Sequence, residues 1–115
     1  MAPLSDSDFE ELVQSALDEL PSDVLDDLKN VAIVVSDRGV EHHAYGLYSG
    51  KTVKSQNIAS NQWAVADQIS IFRDTLVRDF GQDPDRLRAE VRRVVRHEVA
   101  HHLGFDEAGV HRLGL

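Results

Sequence analysis

Apolar residues near the start of the chain recur at helical intervals. Phe9, Leu12, Val13, Ala16, Leu17 and Leu20 line one side of a 3.6-residue repeat, which predicts an amphipathic helix. Ser7 followed by Glu10 reads as the capping box that starts it. Pro21 and Ser22 restart the chain, and Val24, Leu25 and Leu28 predict a second short helix ending near Asn30. The pattern then changes. Val31 to Val35 is a continuous apolar run bounded by Asn30 and Ser36, the form of a strand covered on both faces and expected at the centre of a sheet.

A polar loop from Ser36 to His43 leads to a second strand over Tyr45, Gly46, Leu47 and Tyr48, ended by Gly50. Lys51 to Asn61 is polar and aperiodic and reads as a long loop, with Trp63 anchoring it to the core. Gln68 to Phe72 predicts a third strand, and Asp74 is expected to cap a short helix closed by Gly81. Asp83 as N-cap and Pro84 at the first helical position open a long helix to about Leu103, where Gly104 supplies the stop. At 115 residues the chain fits one domain spanning 1–115.

Composition narrows the possible partners. Twelve Lys plus Arg against twenty Asp plus Glu give a net charge of -8, which repels phosphates and anionic lipid surfaces; neither nucleic acid nor a membrane is expected as a partner. With no cysteine, disulfides and thiolate metal sites are excluded, and any metal must be held by nitrogen and oxygen. The opening MAPLSDSDFEEL has neither the basic start nor the apolar stretch of a signal peptide, so a cytoplasmic location is expected.

The candidate chemistry lies in HEVAH, residues 97–101, inside the long helix. At 100° per residue His97 and His101 fall about 40° apart on one face, close enough to share a cation. Glu98 falls within the stripe formed by Leu87, Val91, Val94 and Val95, where an unpartnered carboxylate is costly to bury. A zinc site gives it a purpose: a carboxylate beside a metal-activated water serves as general base without being a ligand. Two histidines leave zinc one ligand short of the usual three, and Asp106, Glu107 and His111 are the acceptors within reach. His102, about 100° from His101, reads as a packed residue. His42 and His43 read as exposed, and Tyr48 as a packing residue with a wet tip. Arg86, Arg88, Arg92, Arg93 and Arg96 spread around the helix and read as solvated ion-pair partners.

The stretch HEVAHHLGFDE, with the histidine doubled at His102, resembles the small bacterial zincin-like metallopeptidases of actinobacteria and thermophiles. FEELVQSALDELP, NVAIVVSD, GLYSG and QISIFRD extend the resemblance over nearly the whole chain. It implies an α+β minimal zincin-like fold, a small mixed sheet packed with helices and the motif on a long C-terminal helix. It also implies an edge strand above that helix, carried over to Gln68–Phe72, where a peptide could add. In zincins with the extended pattern HExxHxxGxx(H/D) the third ligand stands ten positions after the first histidine. The implied zinc ligands are therefore His97, His101 and Glu107, with Glu98 catalytic, although members usually carry Asp where this chain has Glu107. The function so implied is a zinc-dependent peptidase acting on a peptide or protein substrate. The alternative is a non-catalytic zinc-binding or peptide-binding module of the same fold.

Overall fold

The computed structural model describes residues 5–50 and 67–112, with side chains described as far as Gly109. The expected loop over 51–61 and Trp63 lie outside the described residues. The first helix, α1 (Asp6–Asp18), is capped by Ser5, whose hydroxyl accepts from the Asp8 amide at 3.1 Å. The cap expected at Ser7 is thus placed two residues earlier, because Ser5 is the last extended residue before the helix and its oxygen reaches the third helical amide. Helix α2 spans Ser22–Asp27.

Strand β1 (Ala32–Ser36), the four-residue helix α3 (Gly39–His42), β2 (Gly46–Ser49) and β3 (Gln68–Phe72) follow. Among the described residues the strands form one sheet in the order β1-β3-β2, β1 parallel and β2 antiparallel to β3. This mixed sheet corrects two expectations. The apolar run at Val31–Val35 does not form the central strand: β1 lies at one edge and is only partly buried. Its apolar continuity reflects partial cover on its faces and says nothing about how many neighbours it pairs with. Among the described strands Gln68–Phe72 is the central one, not the edge carried over from the resemblance; β2 takes the outer place beside the long helix.

Helix α4 (Arg73–Phe80) leaves β3 directly, with Phe72 in the cap position. Asp74 therefore does not cap it. Its carboxylate turns to the amides of Gly39 (2.8 Å) and Val40 (3.1 Å), more than thirty residues away. Arg73 pairs with both Asp6 and Asp37, tying the start of α1 and the end of β1 to α4.

The long helix α5 (Pro84–His102) opens as the sequence predicts, with Asp83 accepting from the Asp85 and Arg86 amides and Pro84 in the first turn. It packs against α1, α4, β2 and β3. Phe9, Val13 and Leu17 of α1, Ile69 and Ile71 of β3, Leu76 of α4 and Leu87, Val91, Val94, Val95 and Val99 of α5 make one buried cluster. Each such large side chain contributes roughly 1.5–3 kcal/mol by leaving water. Strand alternation puts Ser70 and Phe72 on the opposite face of the sheet, where His42 of α3 stacks on the Phe72 ring at 5.3 Å. A short helix, α6 (Glu107–Arg112), ends the described chain. No described helix is long and apolar enough to cross a membrane.

Candidate metal centre

Helix α5 presents His97 and His101 one turn apart, as their spacing requires, with their Nε2 atoms 3.2 Å from each other. The helix then stops in a Schellman turn. Phe105 N donates to Ala100 O and Gly104 N to His101 O, both at 3.0 Å, and Gly104 adopts φ 101°, a conformation that residues with a β-carbon resist. The reversal brings Glu107 back over the helix. Its Oε1 lies 2.7 Å from His101 Nε2 and 3.3 Å from His97 Nε2.

Of the other acceptors considered as a third ligand, Asp106 is engaged by its own helix: Oδ1 accepts from the Gly109 amide at 2.7 Å, an N-cap for α6. The side chain of His111 lies outside the described residues. His97, His101 and Glu107 form a group able to hold a metal ion.

The donor set fits zinc on chemical grounds. Two imidazole nitrogens and one carboxylate oxygen supply the three protein ligands of a catalytic zinc site. Tetrahedral ligands about 2.0–2.1 Å from a cation stand roughly 3.3 Å from one another, and two of the three separations here are 3.2 and 3.3 Å. Protonation points the same way. Phe105 O can only accept, so His101 Nδ1, 2.9 Å from it, is the donor, and the neutral ring carries its lone pair on Nε2. Nε2 in turn faces a Glu107 carboxylate oxygen at 2.7 Å, so both atoms are placed to bind one cation. The contacts with His97 and then His101 hold the Glu107 carboxyl below its ordinary range.

Glu98 is buried, as its place in the apolar stripe predicts. Burial raises its carboxyl above the usual range, opposed by the nearby histidines and the Tyr48 backbone amide and reinforced by Glu107. The burial comes from β2 lying directly on α5. A β-carbon on Gly46 would stand 2.7 Å from Val94 Cγ1 and 3.1 Å from Glu98 Cγ, so the strand descends onto the helix where it has no side chain. Gly46 carries a functional contact that the sequence reading left without a role, although an isolated glycine within a strand signals close backbone approach.

Tyr48 does not present its hydroxyl to the cleft. The hydroxyl donates to Asp67 Oδ2 at 2.9 Å, and burial together with this bond pushes its pKa to about 12. His102 packs edge-on against the Tyr48 ring. Its Nε2 donates to Asp27 O at 3.2 Å, and Nδ1 stands 3.3 Å from Asp67 Oδ2 without the angle of a hydrogen bond. Tyr48, Asp67 and His102 thus tie β2, the entry to β3 and the end of α5 together. Asp67 had no signal in the sequence. The arginines of α5 behave largely as read: Arg86 and Arg93 both pair with Glu90, and Arg92 pairs with Glu19.

Between β2 and α5 lies a cleft of about 450 Å³, lined by Tyr45, Gly46, Leu47 and Tyr48 from the strand side, by Arg93, His97, Glu98 and His101 from the helix, and by Glu107. The cleft lining thus includes His97, Glu98, His101 and Glu107, and not Asp106.

No curated protein matches the chain significantly. At the level of families, a profile of the zincin-like metallopeptidases matches residues 26–115, a span that holds the whole sheet, the motif helix and Glu107. With the fold, the paired histidines and the buried glutamate in place, the chain belongs to the zincin-like metallopeptidase family.

Proposed function

We propose that the protein is a zinc-dependent peptidase in which His97, His101 and Glu107 hold the metal and Glu98 is the general base. The observation that carries this reading is the convergence of three ligand atoms beside a buried carboxylate, along a strand with no partner on its outer side among the described residues. The chemistry supplied by zinc, when bound, is Lewis acidity toward a water molecule and toward the carbonyl under attack.

The chain's own residues do the rest. Glu98, its proton affinity raised by burial, takes the proton of the attacking water and delivers it to the departing amine nitrogen. Tyr45 O accepts from Phe72 N at 2.9 Å, and with Gly46 opposite Ile71 and Tyr48 opposite Ile69, alternation turns the backbone groups of Gly46 and the Tyr48 carbonyl to the side of β2 that has no partner among the described strands, while the Tyr48 amide is held by Glu98. An extended peptide pairs there as an added strand, which sets its carbonyl above Glu98 and the histidines. The substrate is accordingly a peptide or an extended segment of a protein.

The test is Glu98→Gln in the zinc-loaded protein. Zinc stoichiometry is expected to stay at that of the wild type while peptide hydrolysis falls by about 10²–10⁴. Equal hydrolysis by the variant, or no hydrolysis of broad peptide libraries by fully zinc-loaded wild type, would overturn the reading in favour of a non-catalytic module.

A further inference from the structure

We propose that Arg93 selects substrates that carry a carboxylate within about two residues of the bond to be cut; the inference rests on the peptidase reading above and names its substrate class. Arg93 lines the cleft one helical turn before His97, toward the N-terminal end of the motif helix. Four residues of helix advance about 6 Å, and an extended peptide advances about 3.3 Å per residue. A group reaching Arg93 therefore belongs to a residue one or two positions from the carbonyl held at the metal centre.

The charge balance at this end of the cleft is positive. Glu90, with a side chain only 14% exposed, is shared by Arg86 at 3.3 Å and Arg93 at 3.0 Å. One carboxylate between two guanidinium groups leaves the trio with one net positive charge. Among the described residues Glu90 is the one carboxylate at ion-pair distance from Arg93, and it occupies Nε and Nη2 through a single oxygen. Glu90 thereby fixes the guanidinium along the helix while Arg93, its side chain 45% exposed, keeps donors free for the planar, two-point recognition of a carboxylate. Glu98 and Glu107 also line the cleft, but the two positive charges of a bound zinc would offset theirs, which leaves the guanidinium pair as the unbalanced charge for an acidic substrate group.

The test uses the zinc-loaded full chain and extended peptides in matched pairs, Asp against Asn and Glu against Gln at each position, with free against amidated C-termini as a separate arm. The acidic member is expected to be cut about three- to tenfold faster at one position near the scissile bond, with the advantage shrinking in about 0.5 M salt. In Arg93→Gln the acid-to-amide ratio falls to near one. In Arg93→Glu it reverses in favour of basic peptides, and in Glu90→Gln it rises. Preference in the side-chain pairs identifies an internal acidic residue, and preference confined to the free terminus identifies the C-terminal carboxylate. Cleavage with no acid preference, or a preference that Arg93→Gln retains, overturns the proposal and leaves the peptidase reading standing. Binding of the same pairs to zinc-loaded Glu98→Gln protein, followed by fluorescence anisotropy, separates the two readings. Acid-selective binding abolished by adding Arg93→Gln supports the role of Arg93 even where no peptide is cut, an outcome that overturns the peptidase reading alone. Absence of both cleavage and acid-selective binding overturns both.

Discussion

His101 donates from Nδ1 to the carbonyl oxygen of Phe105 across 2.9 Å, so the turn that ends the motif helix also fixes the tautomer of a candidate ligand. Gly104, at φ 101°, makes that turn possible. A β-carbon there meets nothing within 4 Å, which leaves backbone strain as the cost of substitution. Gly104→Ala is expected to lose about 1–2 kcal/mol of stability and to weaken zinc binding by displacing Phe105 and Glu107. Gly104→Asn, which tolerates positive φ better, falls between. Urea unfolding with competition against a chromogenic chelator measures both; unchanged zinc affinity in Gly104→Ala would sever the turn from the site.

Adjacent acidic residues are expected to behave differently. Glu107→Ala removes a proposed ligand and should weaken zinc binding by more than the roughly 10–100-fold typical of outer partners. Asp106→Ala removes the cap of α6, costing about 1 kcal/mol with a smaller loss of metal affinity. Zinc titration of both variants decides the order, and a larger effect at Asp106 would reverse the ligand assignment.

The contact of β2 with α5 is tested by adding one methyl group. Gly46→Ala places a carbon 2.7 Å from Val94 Cγ1 and 3.1 Å from the Ser70 carbonyl oxygen, and overpacking of this kind costs about 1–3 kcal/mol. Val94→Ala costs stability alone but removes the closest obstruction, so the double variant is expected to be more stable than the sum of the single effects implies. Additive losses in a denaturation cycle would show that the strand does not rest on Val94.

Asp74 provides a pH-dependent case. Burial works to raise its carboxyl, but the amides of Val40, Gly39 and Thr75 outweigh it and leave the folded value below the ordinary 3.8. A depressed pKa stabilises the fold above the unfolded value and loses that contribution as pH falls through the folded one. Asp74→Asn cannot serve two amides with two acceptor oxygens. It is expected to be about 1–2 kcal/mol less stable than the wild type at neutral pH, with the gap narrowing below about pH 4. Urea midpoints across that range check it; a gap independent of pH would remove the carboxylate from the explanation.

Local signals were legible and long-range ones were not. Asp83, Pro84 and Gly104 bound α5 through contacts a few residues long, which is why its start and stop follow from residue type alone. The pairing of His97 with His101 is likewise a property of one helix. The order of the strands is decided by partners distant in the chain, so the apolar run at β1 could not reveal that it pairs only with β3 among the described strands. Asp74 has the residue type of an N-cap, yet its partners lie in α3, beyond any local pattern. Arg93 was submerged among five arginines of one helix, and only the cleft separates it from the others.

The candidate ligands span just ten positions of chain, and closing so short a loop costs little conformational entropy. On the proposed reading, then, zinc acts as a clasp on the end of the chain and not as a rivet through the sheet. Its binding should slow amide exchange in Gly104–Gly109 and leave β1 and β3 nearly as they were. On that reading the metal is expected to leave and rebind through a local opening of α6, without unfolding of the sheet.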